Sequence, residues 1–239
     1  MPKIVAVGGC AALFIASTLF AVENAEPVKI TKTEQMDFPS GGLLHLNDVI
    51  GDLTIEPWDQ PGIEITTTKS TKADLDPQNH EKGVAELDQV HIAAQRKGNE
   101  LTLTTEFPRY GHFLFVPGHT RFDLDTHISV PRNTRLDIHG SGQIYLNNLA
   151  SDIQAEISHG TIVLHLPEQG HYDIDARSKF GTIESDFPGQ EKRAHWIGHS
   201  FTDQPATGAQ KLYLRTGYGD VILLKIRQPQ TPPAVKPES

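Results

Sequence analysis

Four aspartates stand in pairs two residues apart: Asp123 and Asp125 flank Leu124, and Asp173 and Asp175 flank Ile174. In an extended strand, side chains alternate between faces, so each pair projects both carboxylates to one side about 7 Å apart. That spacing suits a glycosidase or a calcium site. It suits equally the solvated outer face of strands whose Phe122, Leu124, Tyr172 and Ile174 supply the remaining contacts. Twelve histidines invite a metal reading, with His195 and His199 at i, i+4 around Trp196. Two imidazoles so spaced share a helix face, as zinc motifs require. Gly198 and the absence of a nearby carboxylate pair argue against a helical zinc motif, and no HExxH occurs. His139, His159 and His165 lie near turns and would meet if those turns stack, although solvent-facing histidines explain them as well. Ser141, between Gly140 and Gly142, lacks the outer glycines of a nucleophile elbow and precedes a strand instead of a helix. Ser158 and Ser178 recur at comparable turns, which marks geometry and not chemistry.

Aromatic residues give a different kind of candidate. Phe107, Tyr110, Phe113 and Phe115 crowd the segment FPRYGHFLFVPG, bounded by Pro108 and Pro117. Exposed, such a cluster would grip a glycan, a lipid or a partner chain. We favour the competing reading, a hydrophobic plug over an open end of stacked strands, whose edges and core would otherwise face water.

Composition narrows the classes. The chain has 239 residues, with 21 Lys and Arg against 30 Asp and Glu, a net charge of −9, and 37% apolar residues. It is long enough to bury a core and too apolar for wholesale disorder. The acidic balance and the lack of a basic cluster in sequence argue against nucleic acid. A single cysteine, Cys10, excludes an intrachain disulfide framework and any multi-thiolate metal centre. Phosphate-cradling and dinucleotide fingerprints are absent, and we expect no cofactor.

The N-terminus sets the expected compartment. Lys3 precedes a 19-residue uncharged run, Ile4 to Val22, followed by Glu23 and Glu26. This reads as an export segment, residues 1–22, with Ala21 and Ala25 as small cleavage-site residues. Its length also approaches that of a membrane span, so an uncleaved anchor is the alternative and the only expected membrane contact. The protein is expected in the periplasm or at the cell surface.

The positions of these residues are set by a repeated unit: an apolar-x-apolar strand, a short polar turn ending in glycine, and a second such strand. It occurs five times, at Leu44–Ile55, Leu136–Leu146, Ile153–Leu164, Tyr172–Ile183 and Leu212–Leu223, with Gly51, Gly142, Gly160, Gly181 and Gly219 at the turns. A period near 20 implies stacked supersecondary units, and strict alternation turns one face of each strand inward. Between the first two copies we expect a strand at 62–68, a short helix near 77–88 and a hairpin around Lys97-Gly98-Asn99, then a strand at 122–130. Residues 227–239 hold four prolines and read as an extended tail.

The segments IGDLTIEPWDQPGIEI, HISVPRNTRLDIHGSGQIYLNNL, ISHGTIVLHL and LYLRTGYGDVILLKI together resemble the bacterial "putative adhesin" domain of unknown function, over roughly residues 40 to 226. The resemblance implies an exported all-β domain, a right-handed β-solenoid or parallel β-helix-like stack, and carries no catalytic residues to transfer. The 38-residue gap between Gly181 and Gly219, containing 192–208, departs from the pattern as an added hairpin and is a place to look for specificity. The resulting expectation is one β-repeat domain, 28–226, solenoid-like, with a β-sandwich as the alternative. It serves as a non-enzymatic envelope interaction or scaffold module with a protein or glycan partner. Two other readings stay open: a carbohydrate-active enzyme using Asp123 and Asp125, and a membrane-tethered signalling module.

Overall fold

The computed structural model describes residues 26–72, 77–107, 122–193, 198–203 and 209–227. Export segment 1–22, the aromatic residues Tyr110, Phe113 and Phe115, the pair His195 and Trp196, and the tail from 228 lie outside the described residues. Among the described residues no helix is long and apolar enough to cross a membrane.

Each repeat forms two strands, one in each of two sheets. The five pairs are β2 (Leu43–Val49) with β3 (Asp52–Trp58), β8 (Arg135–Gly140) with β9 (Gln143–Asn147), β10 (Ile153–His159) with β11 (Ile162–Pro167), β12 (Tyr172–Phe180) with β13 (Ile183–Ser185), and β16 (Gln210–Tyr218) with β17 (Val221–Ile226). Alternation does what the pattern predicts: Leu136, Ile138, Ile144, Leu146, Ile162, Leu164, Leu214 and Leu223 are all buried in one core shared by both sheets. Side chains of the opposite parity face out. Burial of so many aliphatic groups, each contributing about 1.5–3 kcal/mol, is the main force holding the sheets together.

Neighbouring pairs run parallel and in register, and the ladder continues around the corner between sheets. Gly142 N–H donates to the carbonyl of His159, Gly160 N–H to that of Tyr218, and Gly219 N–H to that of Phe180, at 2.8, 2.8 and 2.9 Å. The turn glycines are therefore stacked on one another. A Cβ on Gly142 would overlap the carbonyl oxygen of Gly51; on Gly160, that of Gly142; on Gly219, that of Gly160; and on Gly181, that of Gly219. Glycine commonly occupies turns because it takes positive φ without a Cβ clash. At Gly160, with φ of 113°, that holds, but Gly181 lies outside the positive-φ range, so close approach is the requirement all of these share. Hydroxyls brace the same corner: buried Ser178 donates to the Gly219 carbonyl at 2.7 Å and Thr216 to that of Gly160 at 3.1 Å.

The all-β class and the single short helix agree with expectation, with a correction to the stacking. A coil wound in chain order would place the fifth repeat beyond the fourth. Instead the sheets read β1-β4-β7-β3-β9-β11-β17-β13 and β14-β15-β12-β16-β10-β8-β2-β6-β5, with β1 (Lys29–Met36), β4 (Ile63–Thr71), β5 (His91–Lys97), β6 (Glu100–Glu106), β7 (Phe122–Pro131), β14 (Gln190–Arg193) and β15 (His199–Asp203) completing them. The β16–β17 pair thus lies between the third and fourth repeats. Both sheets are mixed, because antiparallel pairs flank the parallel centre: β1 with β4 and β4 with β7 in one, β5 with β6 and β14 with β15 in the other. Two mixed sheets that share one core are compatible with the sandwich alternative. The long gap before the fifth repeat holds the β14–β15 hairpin, so the chain reaches the outer edge and returns. Edge strand β14, Gln190-Glu191-Lys192-Arg193, is wholly exposed and charged at three of its four residues, which discourages pairing with a second molecule.

Helix α1 (Pro77–Leu87) sits where the sequence placed it. It closes a smaller core of Ile50, Leu87, Val90, Phe122 and Leu124, against which Phe107 packs. Lys69 of β4 donates from Nζ to the carbonyls of Leu87, the last helical residue, and Val90, three residues beyond it, at 2.7 and 2.9 Å, tying the end of the helix to the sheet.

Candidate interaction surface

Three repeats carry a ring in the position immediately before the turn glycine: His159, Phe180 and Tyr218. Parallel pairing sets Phe180 opposite Tyr218 and Tyr218 opposite His159. Strands about 4.8 Å apart hold identical positions at stacking distance. The ring centroids accordingly lie 4.5 Å apart for Phe180 and Tyr218 and 4.9 Å apart for Tyr218 and His159, tilted by 14° and 8°. The parity is that of the inward-facing residues, but each ring is the last residue of its strand, at the corner between the sheets, and the row emerges into solvent. Tyr218 is 52% exposed and Phe180 40%. Lys179 Nζ lies 5.4 Å from the Phe180 centroid, within reach of a cation–π attraction.

Beside this row the inserted hairpin pairs antiparallel with β12, Ser178 facing His199 and Arg177 facing Ser200. A cleft of about 550 Å³ opens there, lined by Arg177, Lys179, Lys192, His199 and Arg215 together with Ser200 and Thr202. Arg215 is fixed in place: its guanidinium bonds the Asp175 carboxylate and backbone carbonyl at 2.5 and 2.6 Å and lies 3.7 Å over the Tyr213 ring. Arg177 Nε reaches the other Asp175 oxygen at 3.3 Å. One carboxylate therefore serves two guanidiniums. His199 Nδ1 is 3.8 Å from Glu191.

Other sequence candidates are dispersed. Asp123 and Asp125 are exposed on β7 with Phe122 and Leu124 inward, and Asp52 stands in register with Asp125. Partial burial, then the charges of Asp125 and Asp123, push the Asp52 carboxyl above the ordinary range. Asp173 is half-buried on β12 beside the Asp175 just described. His45 hydrogen-bonds Asp137 at 2.9 Å, and His139 Nε2 lies 2.9 Å from the other oxygen of that carboxylate; His165 bonds Asn147 at 2.7 Å in the other sheet; His159 belongs to the ring row. The three histidines do not converge. Among the described residues no group of three or more His, Cys, Asp or Glu is placed to hold a metal. Ser141 and Ser158 bond each other at 2.9 Å across the turn.

Of the predicted surface residues, His199 lines the cleft and Phe107 packs on the smaller core. Sequence reasoning missed Phe180, Tyr218, Arg177, Lys179 and Arg215, whereas Lys192 falls in the 192–208 segment marked for specificity. A signal was present in His159-Gly160, Phe180-Gly181 and Tyr218-Gly219, but chain order would have set 159 beside 180 and left 218 at the end.

No family model matches the chain, and no curated protein matches it. Among solved structures, a putative cell adhesion protein from Clostridium sporogenes is 12% identical with a TM-score of 0.47, covering 84% of this chain and 100% of its own. A putative adhesin from Bacteroides fragilis is 10% identical with a TM-score of 0.33 over the same shares. A putative adhesin from Parabacteroides merdae is 14% identical with a TM-score of 0.31, covering 68% of each chain.

Proposed function

We propose that this chain is an exported, non-enzymatic interaction module of the cell envelope, adhesin-like in the sense of binding through its surface. The observation that carries this reading is the exposed row His159, Tyr218 and Phe180 beside the hairpin cleft, mounted on a corner where every rung is hydrogen-bonded to the next. Exposed rings on a rigid backbone lose little entropy on contact, which is what a recognition surface needs. The 19-residue apolar run at the N-terminus supports export.

The test is protease shaving of intact cells with mass determination of the N-terminus. The expected result is a protein removed by external protease and beginning after the apolar run. A protein protected until lysis that retains Met1, found in the cytosolic fraction, overturns the reading.

A further inference from the structure

We infer that the cleft between β12 and the inserted hairpin is a binding site for carboxylate-bearing sugars, such as the uronate units of an acidic polysaccharide. This deepens the interaction-module reading by naming a ligand class. Charge is the first argument. Four permanent cations, Arg177, Lys179, Lys192 and Arg215, line a single cleft of a protein whose net charge is −9. Only Asp175 is ion-paired with any of them among the described residues, and it serves both arginines. Lys179 and Lys192 are exposed and have no carboxylate partner among the described residues. The adjoining segments 194–197 and 204–208 contain no Asp or Glu. Unpaired cations gathered in a concave surface focus a positive potential there and draw an anion in.

Geometry is the second argument. Arg215 is locked by Asp175 on one side and by the Tyr213 ring on the other, so the cleft is organised before any ligand arrives. Ser200 and Thr202 place hydroxyls in the same lining, matched to sugar hydroxyls. The volume of about 550 Å³ lies in the range of small-molecule sites. Phe180 follows Lys179, whose Nζ lies 5.4 Å from its ring, and opens the ring row just beyond the cleft lining, where the apolar C–H face of a neighbouring sugar unit can rest. A simple inorganic anion would use the cations and leave the rings idle.

The purified full chain is tested by affinity electrophoresis and calorimetry at low salt against polygalacturonate, neutral dextran and inorganic polyphosphate. Binding to polygalacturonate is expected, lost at 0.5 M salt as a screened ionic contact must be, with no binding to dextran. The double variant Lys179→Gln/Lys192→Gln removes two exposed charges without touching the Asp175 network, and weakens binding about ten-fold with an unchanged circular dichroism spectrum. Phe180→Ala is expected to weaken polygalacturonate binding several-fold. No binding to polygalacturonate, or binding that the double lysine variant leaves intact, overturns the site. Dextran bound as well as polygalacturonate overturns the role of charge, and polyphosphate bound as tightly overturns the sugar assignment. None of these results bears on where the protein is located, so the envelope reading stands or falls separately.

Discussion

Gly160→Ala places a methyl group where the Gly142 carbonyl oxygen already sits, in a residue whose φ is 113°. Two costs add. A non-glycine residue held in that region is strained by about 1–3 kcal/mol. The overlap is with backbone, which cannot rotate away, so the rung must move and the corner bonds from Gly142 to His159 and from Gly160 to Tyr218 stretch or break. Each is worth about 0.5–1.5 kcal/mol, giving a total near 4 kcal/mol. Two controls separate the causes. Gly98 has φ of 61° and nothing within 4 Å of a built Cβ, so Gly98→Ala carries strain alone, about 1 kcal/mol. Gly181 lies outside the positive-φ range, yet its Cβ would overlap the Gly219 carbonyl, so Gly181→Ala carries overlap alone, about 2 kcal/mol. Urea unfolding of the full chain, followed by tryptophan fluorescence and circular dichroism, should rank the losses as Gly160→Ala, then Gly181→Ala, then Gly98→Ala. If Gly160→Ala costs no more than Gly98→Ala, the stacked-corner account is wrong.

Lys69→Met deletes the donor to the Leu87 and Val90 carbonyls, and urea titration should show a loss of about 1.5–3 kcal/mol, since both acceptors lose a charged partner. At Asp52 the raised carboxyl pKa means the folded state favours the protonated form, so its contribution is present below the ordinary value of 3.8 and lost as pH rises through the folded value. Asp52→Asn should therefore raise the melting temperature at pH 7 and have little effect at pH 3; an equal gain at both would contradict an Asp52 carboxylate disfavoured by partial burial and by Asp125 and Asp123. Burial pushes the Tyr172 phenol up to about 12, and its hydroxyl donates to the Pro167 carbonyl at 2.9 Å. Its support is complete below pH 10 and lost as pH rises through about 12, and a phenolate absorbance titration should show a late component that Tyr172→Phe removes.

Much of the fold was legible because it is local. Alternating residues such as Leu136, Ile138, Ile144 and Leu146 declare which face is buried, since a strand repeats every two residues whatever lies beside it. The helix at Pro77–Leu87 and the hairpin around Gly98 likewise follow from neighbours in the chain. Periodicity does not say which strand lies beside which. The backbone bonds that join β16 to β10 and β12 are the same for any pair of strands, and only side-chain packing and the reach of the long segment before the fifth repeat choose the partners. That choice made the candidate surface. His159, Phe180 and Tyr218 form one row because β16 falls between β10 and β12. Lys192 and His199 meet Arg177 and Arg215 because the hairpin β14–β15 docks on β12. From the sequence alone come the repeat, its inward face and the glycine at each corner; the order of the rungs, and with it the gathering of charge and rings at one edge, is a property of long-range pairing that no local pattern encodes.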